Sequence, residues 1–141
     1  MLQFPAARAL LFDLDGTLVD SVPDIAVAVD RLLADLGRAP AGETRVRFWV
    51  GNGGRMLVRR ALAFDAAGVA DDDPLLPRAM DIFFAHYNDS NGQSSRLYTG
   101  VAEALEAFAA RGLPWPSSPT SRIATLHRCL RNWAFFTTFR Y

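Results

Sequence analysis

Apolar residues recur at two spacings along the chain, and these spacings divide it into a predicted strand and predicted helices. A continuous apolar run at residues 8–13 is closed by Asp and Gly, which is typical of a strand buried on both faces of a parallel sheet. Helical spacing follows, with Ser21 predicted to cap the first helix and Gly37 to end it. The predicted helices cover residues 22–36, 44–50, 54–64, 75–88 and 101–111, with a polar loop at 89–96 and weak periodicity at 126–136.

The composition predicts a protein that folds in water. Half of the 141 residues are apolar and 21% are charged, which argues against a long disordered chain. No apolar run approaches the roughly 20 residues of a membrane span, and the N-terminus lacks the pattern of a signal peptide. The single Cys129 excludes an internal disulfide and, with two His, a structural zinc site. We therefore expect a cytoplasmic protein with no membrane partner.

The net charge of zero is the sum of two unlike parts. Up to Glu106 the chain has ten arginines and all fifteen acidic residues, which gives a charge of −5. Residues 107–141 have five arginines and no acid, a charge of +5, and the chain contains no Lys. A break of this kind indicates either a basic interaction tail or a tail of different origin. The five arginines are scattered among Trp, Pro and Phe, so we expect no nucleic-acid partner.

The candidate chemistry lies where the predicted strand ends, in the sequence DLDGT at residues 13–17. Side chains alternate along an extended segment, so Asp13 and Asp15 point the same way and are suited to hold Mg²⁺ between them. Gly16 permits a sharp turn and Thr17 adds a hydroxyl donor. Open α/β folds hold ligands at this end of a parallel strand. The alternative is that the two aspartates only cap a turn.

The surrounding sequence resembles the haloacid dehalogenase phosphohydrolase superfamily. Its first motif is matched by ALLFDLDGTLVDS at residues 9–21, and the segments VPDI, VGNGG and LYTGV at 22–25, 50–54 and 97–101 resemble the bacterial phosphoglycolate phosphatase branch. The resemblance implies an α/β fold with a Rossmannoid core and a helical cap inserted in it. The domain boundaries that the resemblance implies are a cap at 20–97 and a partial core at 1–19 and 98–114. This partial core would contain only the first strand and its flanking helix.

The resemblance also assigns roles to the motif. Asp13 is the implied nucleophile, which forms an aspartyl-phosphate, and Asp15 the implied acid and base. Both would hold Mg²⁺, Asp15 through its backbone carbonyl, while Leu14, Gly16 and Thr17 would bind the phosphate. The implied reaction is hydrolysis of 2-phosphoglycolate to glycolate and phosphate, with a sugar phosphate or pyrophosphate as the alternative small phosphorylated substrate.

Other residues have two interpretations each. The GNGG sequence at 51–54 opens a helix and either binds an anion there or is only a turn. Arg45, Arg47 and Arg55 either hold a substrate carboxylate or, as we favour, lie on a solvated, salt-bridged face. We favour cap core, surface or a solvated helix start for the rest, namely Phe83, Phe84, His86 and residues 71–73.

Residues 115–141 depart from the resemblance. The family continues with a strand and a Thr-Asn-Lys-Pro sequence whose Thr and Lys bind phosphate, whereas this chain has WPSSPTSR at 115–122, whose prolines exclude a central strand. Codons that start one base earlier can be translated as MAVVTNKP if Ser121 uses an AGY codon. We therefore predict a frameshifted tail and weak or no turnover. The alternatives are an inactive truncated copy and an Arg-tailed binding protein.

Overall fold

A computed structural model describes residues 12–90 and 92–110 of the chain. Within them, five α-helices and two short strands follow one another along the chain. In order they are β1 (Val19–Asp20), α1 (Val22–Asp35), α2 (Glu43–Trp49), α3 (Gly53–Ala63), α4 (Leu76–Ser90), β2 (Arg96–Leu97) and α5 (Val101–Ala110).

The five helices confirm the helical segments predicted from the apolar spacing. The end of α1 shows why the Gly37 prediction holds, because Gly37 has a φ of 68° and its N–H donates to the carbonyl of Ala34. The N–H of Arg38 reaches the carbonyl of Leu33 at 2.8 Å, which completes a Schellman motif that only glycine enters without strain.

Some predictions about regular structure are wrong, and others fall wholly or partly outside the described residues. The polar loop predicted at 89–96 is wrong at both ends, since α4 runs to Ser90 and Arg96 is already in β2. Two-residue strands leave no periodicity in a sequence, so β1 and β2 were not predicted. Of the predicted strand at 8–13 only Phe12 and Asp13 are described, and neither has regular secondary structure. The weak helix at 126–136 and the tail at 115–141 lie outside the described residues.

The hydrophobic core lies within α1 to α4, which together are called the four-helix segment (residues 22–90). α1 turns a stripe of apolar residues inward at helical spacing, and its most extensive packing is against α4. The buried residues of this core all fall between Ile25 and Tyr87 in the sequence. They include Val29, Leu32, Leu33, Val46, Trp49, Leu57, Val58, Ala61, Leu76, Ala79 and Phe83.

The two strands bring the ends of the four-helix segment together. β1 and β2 are antiparallel, with Val19 opposite Leu97 and Asp20 opposite Arg96, and the N–H of Tyr98 donates to the carbonyl of Leu18 at 3.1 Å. The chain thus leaves for the helices and returns from them at adjacent, hydrogen-bonded positions.

The last described helix packs beside the start of the described chain. The ring of Phe108 in α5 lies 5.8 Å from the ring of Phe12, and this contact places α5 next to the aspartate motif.

As for a membrane-crossing segment, none of the helices in residues 12–90 and 92–110 combines the necessary length and apolarity.

Candidate functional site

The aspartate motif is a tight turn closed by backbone hydrogen bonds. The carbonyl of Leu14 accepts the N–H groups of Leu18 and Val19, each at 2.9 Å, and that of Thr17 at 3.3 Å. The N–H of Gly16 donates to the carbonyl of Val19 at 2.9 Å. Gly16 has a φ of 75°, where a Cβ would meet no neighbouring atom but would strain the backbone. We call residues 13–19 the aspartate turn.

A cavity of about 350 Å³ lies between the aspartate turn and the four-helix segment. Asp13, Asp15 and Gly16 line it from the turn, and the glycines of the 51–54 loop line it from the start of α3. The remaining lining residues are Ser21, Val22, Ile25, Val50, Leu57 and Tyr87. The structure therefore brings together the two motifs that the sequence analysis singled out at separate places in the chain.

The predicted phosphate-binding residues take different positions around this cavity. Gly16 lines it, whereas Leu14 and Thr17 belong to the same turn but not to the described cavity lining. Leu14 is half-buried and Thr17 is exposed. The N–H groups of Gly16 and Thr17 form hydrogen bonds within the turn. These bonds help to hold Asp13 and Asp15 at the surface of the cavity.

Ser21 occupies the cap position of α1, as predicted, but its side chain makes no capping hydrogen bond. Two features of the helix start explain this. The residue has a helical backbone (φ −92°, ψ −6°) instead of the extended one usual at this position, and Pro23 in the first turn has no N–H to donate. Ser21 lines the cavity instead, with only 7% of the residue exposed.

Tyr87 forms a polar part of the cavity wall on α4. The residue is 2% exposed, and its ring stacks on that of Phe83, 5.8 Å away and 11° from parallel. Burial raises the pKa of the Tyr87 hydroxyl, and the negative charges of Asp15 and Asp24 raise it further. The hydroxyl therefore keeps its proton at neutral pH.

Arg47 is held by acidic side chains. Its guanidinium donates to both carboxylate oxygens of Asp20, at 3.1 and 2.9 Å, and to Glu43 at 2.7 Å. The hydrogen bond from Arg47 holds the pKa of the Asp20 carboxyl below its usual value of 3.8. The same pairing raises the pKa of Arg47. The favoured interpretation of Arg47 as part of a salt-bridged face is confirmed.

The other two candidate arginines also have structural partners. Arg55 donates to the carboxylate of Asp71 at 2.8 Å, and this bond lowers the pKa of Asp71. The guanidinium of Arg45 lies over the ring of Phe64, 4.3 Å from its centre. None of these arginines is among the described residues that line the cavity.

The aromatic and histidine side chains of α4 behave as expected for core and surface. Phe83 is fully buried and packs edge-on against the partly buried Phe84. His86 lies 2.7 Å from the carboxylate of Asp35 on α1. At the predicted helix start, Asp73 accepts the N–H of Leu75 at 2.8 Å, a local turn bond.

Asp24 has a structural role that its position in the sequence does not predict. It is fully buried near the start of α1, and its carboxylate accepts the N–H groups of Gly92, Ser94 and Ser95 at 2.7–2.9 Å as well as the hydroxyl of Ser95. An acid between Pro23 and Ile25, on the apolar side of a helix, was the available signal. These bonds fix the return path of the chain toward β2.

Asp13 and Asp15 supply the carboxylate oxygens that Mg²⁺ prefers, and both face the cavity. In the part of the chain that the structure describes, no group of three or more His, Cys, Asp or Glu side chains is placed to hold a metal ion. The described residues therefore provide two acidic residues, Asp13 and Asp15, whose oxygen atoms are of the kind that Mg²⁺ prefers as ligands.

Comparisons with known proteins agree with this architecture. A model of the haloacid dehalogenase-like hydrolases matches residues 7–135. Curated phosphoglycolate phosphatases from Pseudomonas putida and Pseudomonas syringae pv. tomato are 48% and 51% identical over 106 and 108 residues. Each alignment covers 75% of this chain but only 39% of the relative, so the chain spans about two fifths of their length.

Solved structures show the same fold. A crystal structure described as a predicted phosphoglycolate phosphatase, from Haemophilus somnus 129PT, is 33% identical with a TM-score of 0.62, covering 77% of this chain and 50% of that one. A Lactobacillus delbrueckii subsp. bulgaricus structure, 20% identical with a TM-score of 0.63, covers 75% and 52% and supports the fold alone. Because the family model matches residues 7–135 of the 141 in this chain, the chain belongs to the haloacid dehalogenase-like hydrolases.

Proposed function

We propose that the chain carries the nucleophile turn and the cap of a magnesium-dependent phosphatase that hydrolyses 2-phosphoglycolate to glycolate and phosphate. The observation that carries this proposal is the cavity in which Asp13 and Asp15 face the 51–54 loop. Its volume of about 350 Å³ suits a small ligand. The names of the curated relatives, which align with 75% of the chain, support the substrate.

The domain boundaries proposed are a cap at residues 20–97 and a partial core at 1–19 and 98–114. The pairing of β1 with β2 supports them, because both crossings between the two parts lie side by side. The contact between Phe12 and Phe108 supports the grouping of residues on the core side. Two adjacent crossings would let the helices close over the cavity as a unit.

In the proposed reaction, a carboxylate oxygen of Asp13 attacks phosphorus while the bond from phosphorus to the glycolate oxygen breaks. Asp15 gives its proton to that departing oxygen. It then takes a proton from the water that attacks the aspartyl-phosphate, which releases phosphate and restores Asp13. Both side chains line the same cavity, as these shared steps require.

Mg²⁺, held by the carboxylate of Asp13 and the backbone carbonyl of Asp15, would offset the repulsion between carboxylate and phosphate. The turn itself would contribute rigidity, because Gly16 and Thr17 are fixed by bonds to Val19 and Leu14. We assign the phosphate oxygens to the Thr17 hydroxyl and to the backbone around Leu14, with Gly16 lining the phosphate site without donating its N–H, which is bonded to Val19. Rigid donors act without rearrangement when the phosphate charge changes.

We further propose that turnover by this chain is weak, because its zero-lysine composition leaves no candidate for the phosphate-binding lysine of the family. We propose that residues 115–141 are a frameshifted reading, as the codon pattern indicates. The family-model match extends to residue 135. The nucleotide sequence tests the frameshift directly. A TCN codon at Ser121, or an early stop in the alternative frame, would rule it out.

The function is tested with the full chain, Mg²⁺ and 2-phosphoglycolate, by measuring phosphate release. Asp13→Asn should abolish the release, and Asp72→Asn, at an exposed aspartate outside the cavity, should leave it unchanged. Ribose 5-phosphate and pyrophosphate in the same assay separate the alternative substrates. Equal release by wild type and Asp13→Asn would contradict the proposal, and an ordinary enzymatic rate would contradict the predicted impairment.

A second readout does not require turnover. The chain should bind 3-phosphonopropionate, in which a CH₂ group replaces the ester oxygen of 2-phosphoglycolate, in calorimetry with Mg²⁺. Asp13→Asn should weaken this binding at least about tenfold, which is about 1.4 kcal/mol, because it removes the carboxylate proposed to hold the Mg²⁺ that neutralises the phosphonate. Absence of binding by the wild type would contradict the proposed function.

A further inference from the structure

The cavity contains two polar side chains that the proposed reaction does not use. Of its lining side chains, Asp13, Asp15, Ser21 and Tyr87 carry polar groups, and the others are glycines or apolar residues. None of the described lining residues is basic. A ligand with a second negative charge must therefore find neutral hydrogen-bond donors here.

Ser21 is placed to be one such donor. More than nine-tenths of the residue is buried, the residue lines the cavity, and its side chain makes no capping bond to α1. Among the described residues no buried side-chain polar atom lacks a hydrogen-bond partner, so the Ser21 hydroxyl is not a buried unsatisfied group. On the cavity wall it can exchange a water for an oxygen of a ligand.

Tyr87 is placed to be the other. Its stacking on the fully buried Phe83 fixes the ring, and the extensive packing of α4 on α1 fixes the helix that carries it. Its hydroxyl carries a proton at neutral pH, as that of an ordinary tyrosine does. Phenol groups that keep their proton donate hydrogen bonds to oxygen acceptors.

The start of α3 adds backbone donors on the same cavity. Gly53 and Gly54 line it at the first turn of this 11-residue helix, where N–H groups have no partner within the helix. Gly53 has a φ of 80°, which favours glycine at this position. The positive end of the helix dipole favours an anion there.

Resting on the proposed function, we propose that Ser21 and Tyr87 are specificity-determining residues. Their hydroxyls, together with the first N–H groups of α3, bind the carboxylate at the end of the substrate away from phosphorus. Val22, Ile25 and Leu57 form the apolar part of the wall. The several hydroxyls of a sugar phosphate would be left unpaired against that wall, which disfavours sugar phosphates.

The experiment compares two phosphonates that differ only in the carboxylate: 3-phosphonopropionate and ethylphosphonate. Their affinities for the full chain are measured by calorimetry with Mg²⁺, for wild type, Tyr87→Phe and Ser21→Ala. Each variant should bind 3-phosphonopropionate about tenfold more weakly, the effect of one hydrogen bond to a charged group, while ethylphosphonate binding stays unchanged. Tyr98→Phe and Ser94→Ala, at exposed positions outside the cavity, serve as matched controls and should change neither affinity.

The outcomes separate the two proposals. If wild type binds neither phosphonate, both the proposed function and this inference are overturned. If wild type binds both, and Tyr87→Phe and Ser21→Ala change neither affinity or weaken both equally, only the inference fails. Circular dichroism checks that the variants fold. The ring resonances of ¹³C-labelled Tyr87 provide a measurement that needs no substitution, because they should shift with 3-phosphonopropionate and not with ethylphosphonate. Identical shifts with the two phosphonates would overturn the inference.

Discussion

The four-helix segment and the aspartate turn are stabilised in different ways. The segment has a continuous buried core from Ile25 to Tyr87. The described turn is held by backbone bonds to Leu14 and Val19, and Asp13 is exposed. Among the described residues, most of the buried apolar side chains lie in the part proposed to select the substrate. The described contacts that shape the turn around Asp13 and Asp15 are mainly backbone hydrogen bonds, so damage to the two regions should be distinguishable.

The largest expected effect is loss of the segment's core. Phe83→Ala should lower the free energy of unfolding by about 3–5 kcal/mol, because it leaves a cavity in a fully buried site. Phe48→Ala is the matched control, since Phe48 is 81% exposed on α2, and it should cost less than about 0.5 kcal/mol. Urea denaturation followed by helical circular dichroism measures both. Similar losses for the two variants would contradict the location of the core.

The next effect concerns the connection between the segment and β2. Asp24→Asn should destabilise the chain by about 2–3 kcal/mol, because a buried carboxylate that accepts several N–H groups is replaced by an amide. Amide hydrogen exchange should become faster at Gly92, Ser94 and Ser95. Asp81→Asn, on the exposed surface of α4, should change neither quantity. Unchanged exchange at the three amides in Asp24→Asn would refute the role of this carboxylate.

A smaller effect is expected in the turn. Gly16→Ala should cost about 1–2 kcal/mol, the strain of placing a Cβ at a positive φ. NMR amide shifts should change in residues 13–19 and stay constant in the segment core. Thr17→Ala, in the same turn, is the control for loss of a side chain without strain. Shifts spread evenly through the core would show that the two regions are not separable.

The smallest effect is expected at the ion pair that joins β1 to α2. A double-mutant cycle with Asp20→Asn and Arg47→Met should give a favourable but small coupling, as is usual for partly exposed pairs. A coupling that does not differ from zero would show that the two regions are not joined through this pair.

The same pair predicts a pH dependence. The pKa of Asp20 is lower in the folded chain than its ordinary value of 3.8, so the folded state binds this proton less readily. The contribution to stability is complete above pH 3.8 and is lost as the pH falls through the lower folded value. Across this acidic range, the free energy of unfolding should therefore fall more steeply with decreasing pH for wild type than for Asp20→Asn. An equal dependence on pH in the two proteins would contradict the lowered pKa of Asp20.

The sequence predicted the helices well because their apolar faces and end residues are local signals, as at Gly37. It placed Ser21 at the helix start but not its side chain, because Pro23 and the backbone geometry remove the expected bond. The partners of Asp24 lie far along the chain, so no local pattern reveals them. The cavity between Asp13 and Gly53 likewise arises from tertiary packing, and only its separate motifs could be identified beforehand.

The pairing of β1 with β2 has an evolutionary consequence. Since Asp20 and Arg96 are opposite each other, everything between them can be lengthened, shortened or exchanged while the ends stay in place, the condition under which insertions are best tolerated. The aspartate turn lies just before this junction and would be inherited intact. A lineage could therefore acquire a new ligand preference by replacing one contiguous stretch of its gene.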